Sequence, residues 1–283
     1  MTTLHPDRAG GTTATPRTAG EPGFGSLLRQ WRQRRRLSQL DLALDAGISA
    51  RHLSFVETGK SLPSRAMVLR LAERLEVPLR EQNLMLLAAG YAPAFPERPF
   101  DAPSLASARR AVETVLTAHE PFPALAVDRH WTMVAANRAV APLIAGVDPA
   151  LVAAPCNVLR LSLHPDGLQR RIRNLAAWRA HILARLHRQV EATADAGLSA
   201  LMEELRAYPL PRGAPGRTTT TVDGGEVCVP FVLDTEHGPL SFLSTTTVFG
   251  TPVDVTLAEI AVEAFLPADA ETAAALRAMA SGA

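Results

Sequence analysis

The sequence has little cysteine, almost no lysine and no long apolar run. Only Cys156 and Cys228 occur in 283 residues, far apart and without paired spacing, which argues against a disulfide scaffold or a zinc module and fits a reducing cytosol. No stretch reaches the uninterrupted apolar length that spans a bilayer. Residues 1–22 are mainly Thr, Gly, Pro and Ala with scattered charge; with no apolar h-region they read as a disordered tail and not as a signal peptide. A soluble, cytoplasmic protein with no membrane partner is expected. Catalytic motifs are missing too. There is no Gly-x-Ser-x-Gly elbow and no phosphate-cradling loop, and Gly23-x-Gly25 precedes no strand. His119, His164, His181 and His187 form no i, i+4 pair for a helical zinc site. No metal, cofactor or enzymatic activity is therefore expected, and a hydrolase-type second domain is an alternative that rests on no motif.

Lys60 is the only lysine; arginine supplies the other basic side chains, a bias given little functional weight. The formal charge of +1 hides an asymmetry. Residues 21–78 carry ten basic and six acidic side chains, whereas residues 101–283 carry fifteen and nineteen, so the basic end is the candidate polyanion surface. The length suits two domains, one of under about 80 residues and one of about 150 to 180. Four prolines between Pro93 and Pro103 are too dense for a helix or inner strand. The expected division is a tail at 1–22, a first domain at 23–91, a linker at 92–103 and a second domain at 104–283.

Residues 37–60 have the spacing of two short helices joined by a glycine turn. Ser38 can cap the first, Asp41 sits in its first turn, and Leu42 and Ala43 supply its buried side. Gly47 makes the turn and Ser49 caps the second helix. Leu53 and Val56, three apart, face inward there, which turns Ala50, Arg51, Ser54 and Phe55 outward. With helices at 24–36, 64–76 and 79–89 the domain is a five-helix bundle. Leu28 and Trp31 point inward from its first helix, and Met67, Val68, Leu71 and Leu75 from its fourth. A helix-turn-helix makes double-stranded DNA the first-choice partner.

This domain resembles the lambda-repressor/Cro type of helix-turn-helix through Gln39, Gly47 and the Val56-Glu57-Thr58-Gly59-Lys60 close. The resemblance implies backbone contacts from Gln39, Lys60 and Arg65, and base-reading places at Ala50, Arg51 and Phe55. Arg51 suits a guanine O6/N7 pair and Phe55 a thymine methyl. Phe55 is not the usual polar reader, so packing under a neighbour stays open for it. Glu57 resembles the acidic residue that pairs with an arginine of the first helix, here Arg32. The run Arg32, Arg34, Arg35 and Arg36 reads equally as a solvated face or as phosphate contacts.

After the linker come a helix at 104–119, strands at 124–128 and 131–135 around the turn Asp128-Arg129-His130, and a helix at 137–145. A long helix at 168–192 carries Leu168, Ile172, Leu175, Ile182, Leu186 and Val190 on one face. Its other side carries Arg170, Arg171, Arg173, Arg185 and Arg188, read as solvated. A loop at 211–225, strands at 226–233, 240–248 and 258–266, and an alanine-rich helix complete the chain. Five strands with helices inserted after the second is a PAS-like arrangement: one antiparallel sheet, helices on one face, and a cavity between them. The fold class is mainly α with a smaller α+β part, a lambda-repressor-like bundle followed by this PAS-like domain.

The combination of Leu-Leu-Ala-Ala-Gly-Tyr-Ala-Pro (86–93), Glu-Pro-Phe-Pro-Ala (120–124), Leu-Ser-Leu-His-Pro-Asp-Gly (161–167) and Thr-Thr-Thr-Val-Phe-Gly-Thr-Pro (245–252) resembles the MmyB-like transcription regulators. That resemblance covers nearly everything after the first twenty residues and implies a ligand-binding C-terminal domain, with fatty acid as one ligand class. From the residues themselves, Asn137, His164, Trp178, Arg179 and His181 are polar groups able to orient a small apolar ligand, and an arginine or histidine at the mouth with aliphatic walls behind would suit one that bears a carboxylate; Leu125, Val127, Met133 and Val134 lie along the sheet. Three have a structural alternative: a turn for His164, core for Trp178, an acidic neighbour for Arg179. A homodimer is expected, formed through the 168–192 stripe. A second domain serving dimerisation alone is the alternative to ligand sensing.

Overall fold

The computed structural model describes residues 22–211 and 228–281, so the expected tail and nearly all of the 211–225 loop lie outside the described residues. Two compact units meet between Phe95 and Pro96.

The N-terminal unit is built from α1 (Phe24–Arg34), α2 (Gln39–Asp45), α3 (Ala50–Glu57), α4 (Arg65–Arg74) and α5 (Leu79–Ala88). Its helix starts follow from short polar side chains that accept otherwise orphaned backbone N–H groups. Ser38 Oγ accepts from Asp41 N at 3.1 Å while the Asp41 carboxylate accepts from Ser38 N at 2.9 Å, a reciprocal capping box. Ser49 accepts from His52 N and Ser64 from Met67 N. Gly47, at φ +65°, makes the left-handed turn between α2 and α3 without a Cβ penalty. Leu28, Trp31, Leu42, Leu53, Val56, Val68, Leu71, Leu75, Met85 and Leu86 are buried together, each large side chain contributing about 1.5–3 kcal/mol. The inward stripes expected for α1 and α3 are these residues; in the α4 stripe Met67 is only partly buried.

The proline-rich stretch is anchored at both ends. Asn83 accepts from Ala94 N and Phe95 N and donates to Phe95 O. Pro96 O accepts from Val255 N, and Phe100 packs beside Val112 and Leu116.

The second unit opens with α6 (Ala106–Ala118), β1 (Ala124–Val127) and β2 (Met133–Ala136). The insertion α7 (Pro149–Val152), α8 (Val158–Leu163), α9 (Leu175–Thr193) and α10 (Ala196–Ala207) follows. The chain then closes with β3 (Phe231–Thr235), β4 (Gly238–Val248), α11 (Val255–Ala258), β5 (Ala261–Pro267) and α12 (Ala270–Ser281). The five strands form one antiparallel sheet in the order β2-β1-β5-β4-β3. Both faces are covered, not one. Leu125 and Val127 of β1 join the core made with α8, α9 and α10, whereas Ala124 and Ala126 join Val112 and Leu116 of α6. That is why all four residues of β1 are buried.

Other differences have local causes. The helix expected from 168 starts at Leu175, because Ile172 bridges to Leu233, Arg173 N donates to Val232 O, and the Asn174 amide holds Pro230 O and Val232 N. Residues 137–145 supply only a turn and a 3-10 segment, Ala141–Ile144. The third strand begins at Phe231 and the fifth at Ala261, after α11. Helices α8 and α10 have no counterpart in the sequence reading.

Candidate functional site

The exposed face of α3 is organised around one aromatic ring. Phe55 is 37% exposed, and the Arg51 guanidinium and Lys60 ammonium lie 5.4 and 5.9 Å from its centroid. Both distances fit cation–π attraction. The backbone helps, since Phe55 O accepts from Lys60 N and Ser61 N and Gly59 turns the chain at φ +74°. Phe55 therefore packs against two cations and not into the core. Arg51, Lys60 and Arg65 are exposed, and Ser49 is an exposed cap. Ser54 is half-buried, and its carbonyl accepts from Thr58. Ala50 is half-buried against the bundle core and presents less surface than its helical phase implied.

Behind this face the polar groups are tied to one another. Arg32 Nε donates to Glu57 at 2.6 Å and its Nη2 to the other Glu57 oxygen at 3.1 Å, with the Glu57 side chain only 2% exposed. This is the pairing the sequence resemblance implied; the hydrogen bonds to Glu57 raise the pKa of Arg32. Gln39 Nε2 also donates to Glu57, at 2.7 Å, so the amide placed at the DNA backbone is anchored inside the domain by one N–H. Arg35 donates to Leu75 O and Glu76 O, closing the end of α4. Two members of the Arg32–Arg36 run are thus structural, neither a solvated face nor free phosphate ligands.

The second unit holds a partly open apolar cavity of about 100 Å³ between the sheet and the inserted helices, with walls that include Leu125, Met133, Leu159, Ile182, Phe231 and Phe242. Trp178 and His181 line it, their rings stacked 5.4 Å apart, and Trp178 Nε1 donates to Ser162 Oγ. Burial, then the neighbouring Arg185 and Arg188, lower the pKa of His181 against an opposing pull from Glu263; its imidazole is neutral at physiological pH. The other three residues expected at a ligand are elsewhere. Asn137 accepts from Ala124 N and donates to Leu116 O and Phe122 O. His164 accepts from Asp166 N and meets Tyr208 edge-on. Arg179 donates to Leu205 O and Arg206 O at the end of α10. Val127 is core, and Val134 packs on the far face of the sheet.

The cavity's charged wall was missed by the sequence reading. Arg185 grips Glu263 through both terminal nitrogens at 2.9 and 2.6 Å, with Nη2 also reaching Thr246 Oγ1 at 2.7 Å. Thr246 donates onward to Glu263 at 3.0 Å, as the register pairing Thr246 with Glu263 requires. Trp131 stacks under the Arg185 guanidinium at 4.5 Å and donates to Gln189. Its φ of +67° is set in the turn where Asp128 accepts from His130 N and Thr132 N. Helical phase places Arg185 among solvated arginines, and the structure corrects this; a glutamate within an otherwise apolar strand, Ala-Val-Glu-Ala-Phe at 261–265, is the signal in the sequence for such a partner. The apolar stripe of α9 is likewise consumed, because Leu175, Trp178, Ile182 and Leu186 are buried in this unit's own core. Among the described residues no group of three or more His, Cys, Asp or Glu could hold a metal, and no helix is long and apolar enough to cross a membrane.

Two family models match the chain: a helix-turn-helix over residues 28–82 and the MmyB-like transcription regulator ligand binding domain over residues 108–279. The uncharacterized HTH-type transcriptional regulator RghRB of Bacillus subtilis (strain 168) is 44% identical over 75 residues, 26% of this chain and 52% of that protein. The chain thus spans about half the length of that relative. The crystal structure of the restriction-modification controller protein C.AhdI from Aeromonas hydrophila is 36% identical over 21% of this chain and 89% of its own, with a TM-score of 0.20.

Proposed function

The chain belongs to the MmyB-like transcription regulators, by the match of its ligand-binding domain over residues 108–279, and from that membership we propose that it is a sequence-specific DNA-binding regulator controlled by a small apolar ligand. The observation that carries the first half is the α3 face, where Arg51 and Lys60 flank an exposed Phe55 while the charges behind them pair internally. In this reading α3 enters the major groove. Arg51 takes a guanine, Phe55 rests on a thymine methyl, and Lys60, Arg65, Ser49 and the second N–H of Gln39 hold phosphates. Selection of duplexes from a random pool by the full chain, followed by footprinting, tests it. Enrichment of a defined sequence is expected, and uniform retention of all duplexes overturns it.

The second half rests on the cavity, whose walls are mostly aliphatic and aromatic side chains suited to a fatty, chain-like molecule. Denaturing extraction of purified protein and mass spectrometry should release such a molecule. An empty extract, with no thermal shift on adding aliphatic compounds, leaves the PAS-like unit without a sensor role. The protein acts in the cytoplasm as a homodimer in this reading, with two recognition helices about 34 Å apart on a pseudo-palindrome. With the α9 stripe buried, exposed apolar pairs suited to self-association among the described residues include Leu84 and Leu87 on α5, 47% and 52% exposed, and Leu40 and Leu44 on α2, 58% and 70% exposed.

A further inference from the structure

The cavity's polar wall has no net charge, and that constrains what it can hold. Both terminal nitrogens of Arg185 are directed at Glu263, and one also contacts Thr246. Both Glu263 oxygens accept from that guanidinium, and one accepts from Thr246 as well. The guanidinium face is stacked on Trp131. The Glu263 side chain is 4% exposed, so water screens it little. An incoming carboxylate would meet Glu263 at close range, compete for an arginine already bound by two hydrogen bonds to its own partner, and lose its hydration in an apolar chamber. His181 offers a carboxylate no counter-charge either. Its burial, and then the guanidinium groups of Arg185 and Arg188 beside it, favour the neutral ring against the opposing influence of Glu263. A hydroxyl or carbonyl oxygen meets no charge repulsion and pays a much smaller desolvation cost, which a neutral imidazole and the hydroxyl of Ser244 can offset with hydrogen bonds.

We infer that the ligand of this cavity is an uncharged aliphatic molecule of medium length with one hydrogen-bonding head, an alcohol or ketone and not a fatty-acid anion. The size follows from the volume. About 100 Å³ is room for several water-sized groups, since one alone needs roughly 10–15 Å³, and that scale fits a chain of medium length. The inference rests on the proposal that the cavity is the ligand site.

Octan-1-ol and sodium octanoate match that length and differ in the charge of the head at neutral pH. Calorimetric titration of the full chain with each should show the alcohol binding about tenfold more tightly or better. Octanoate binding as tightly as octanol overturns the uncharged-head inference while leaving the cavity as a ligand site. Binding of neither probe overturns the ligand-site reading itself. A Glu263→Gln variant removes the negative charge and leaves the Arg185 guanidinium uncompensated, so its affinity for octanoate should rise about tenfold. No gain in a variant whose circular dichroism matches the parent overturns the charge argument, and the comparison on the unmodified chain stands even if the variant does not fold.

Discussion

Arg32 and Arg51 carry the same side chain, yet burial gives them opposite work. Arg32 is locked in two hydrogen bonds to a Glu57 side chain that is 2% exposed. Removing that acceptor strands a buried guanidinium and the Gln39 amide, so Glu57→Ala should destabilise the N-terminal unit by about 3 kcal/mol or more, read by urea unfolding. Arg51 is exposed, with its guanidinium over the Phe55 ring. Arg51→Ala should leave unfolding unchanged, cost about 1–3 kcal/mol at the operator and relax one base preference. Lys60→Ala should weaken binding to all sequences and reduce the salt slope by about one. Filter binding of both variants across a salt series separates the roles; identical behaviour would dissolve the division between base reader and phosphate contact.

At the scale of elements, α1 is seated against the end of α3 through Gly25. A Cβ there would lie 2.4 Å from Glu57 O and 2.7 Å from Val56 O, both backbone atoms that cannot rotate away. Gly25→Ala should therefore push the two helices apart and cost about 1–3 kcal/mol, lowering the melting temperature of this unit. The helices of this half were legible because their signals are local: Ser38, Ser49 and Ser64 before the apolar runs, and glycines at 47 and 90 after them. Even the pairing of Arg32 with Glu57 could be anticipated. The second half obeys longer-range rules. Leu168 and Ile172 keep helical spacing and are buried, yet Ile172 pairs with Leu233, a residue far along the chain that no periodicity reveals. Helix α10 starts at an Asp195 cap after Ala194 turns left-handed at φ +61°, a position where glycine is the usual cue. Trp178 and His181 were found at the cavity because both are polar-tipped residues on a recognisable helix. Arg185 was missed because its burial depends on Glu263 arriving from β5.

Over the whole molecule, pH and ligand should act through the same chamber. His181 has a folded pKa below its ordinary value, chiefly from burial and then from Arg185 and Arg188. The unfolded chain therefore binds the proton first as pH falls. The neutral ring's contribution is intact above about pH 6.5, and stability declines as pH drops from there through the folded pKa. Melting temperatures between about pH 8 and pH 5 should show that decline, with a smaller slope in His181→Gln. A molecule that fills the cavity binds the folded state alone and should raise stability by about 2.7 kcal/mol at a hundredfold excess over its Kd. If the cavity governs operator binding, linkage demands a stricter result. Whatever factor saturating octan-1-ol applies to the operator Kd, saturating operator must apply to the octan-1-ol Kd, because both legs of the cycle join the same four states. A factor of about five or more in each direction is expected for a regulator. Gel-shift titrations with and without octan-1-ol, set beside calorimetry with and without operator duplex, measure the two factors independently. Two equal factors different from one establish the cavity as the control input, and two factors of one would leave DNA binding and ligand binding as separate properties of the chain.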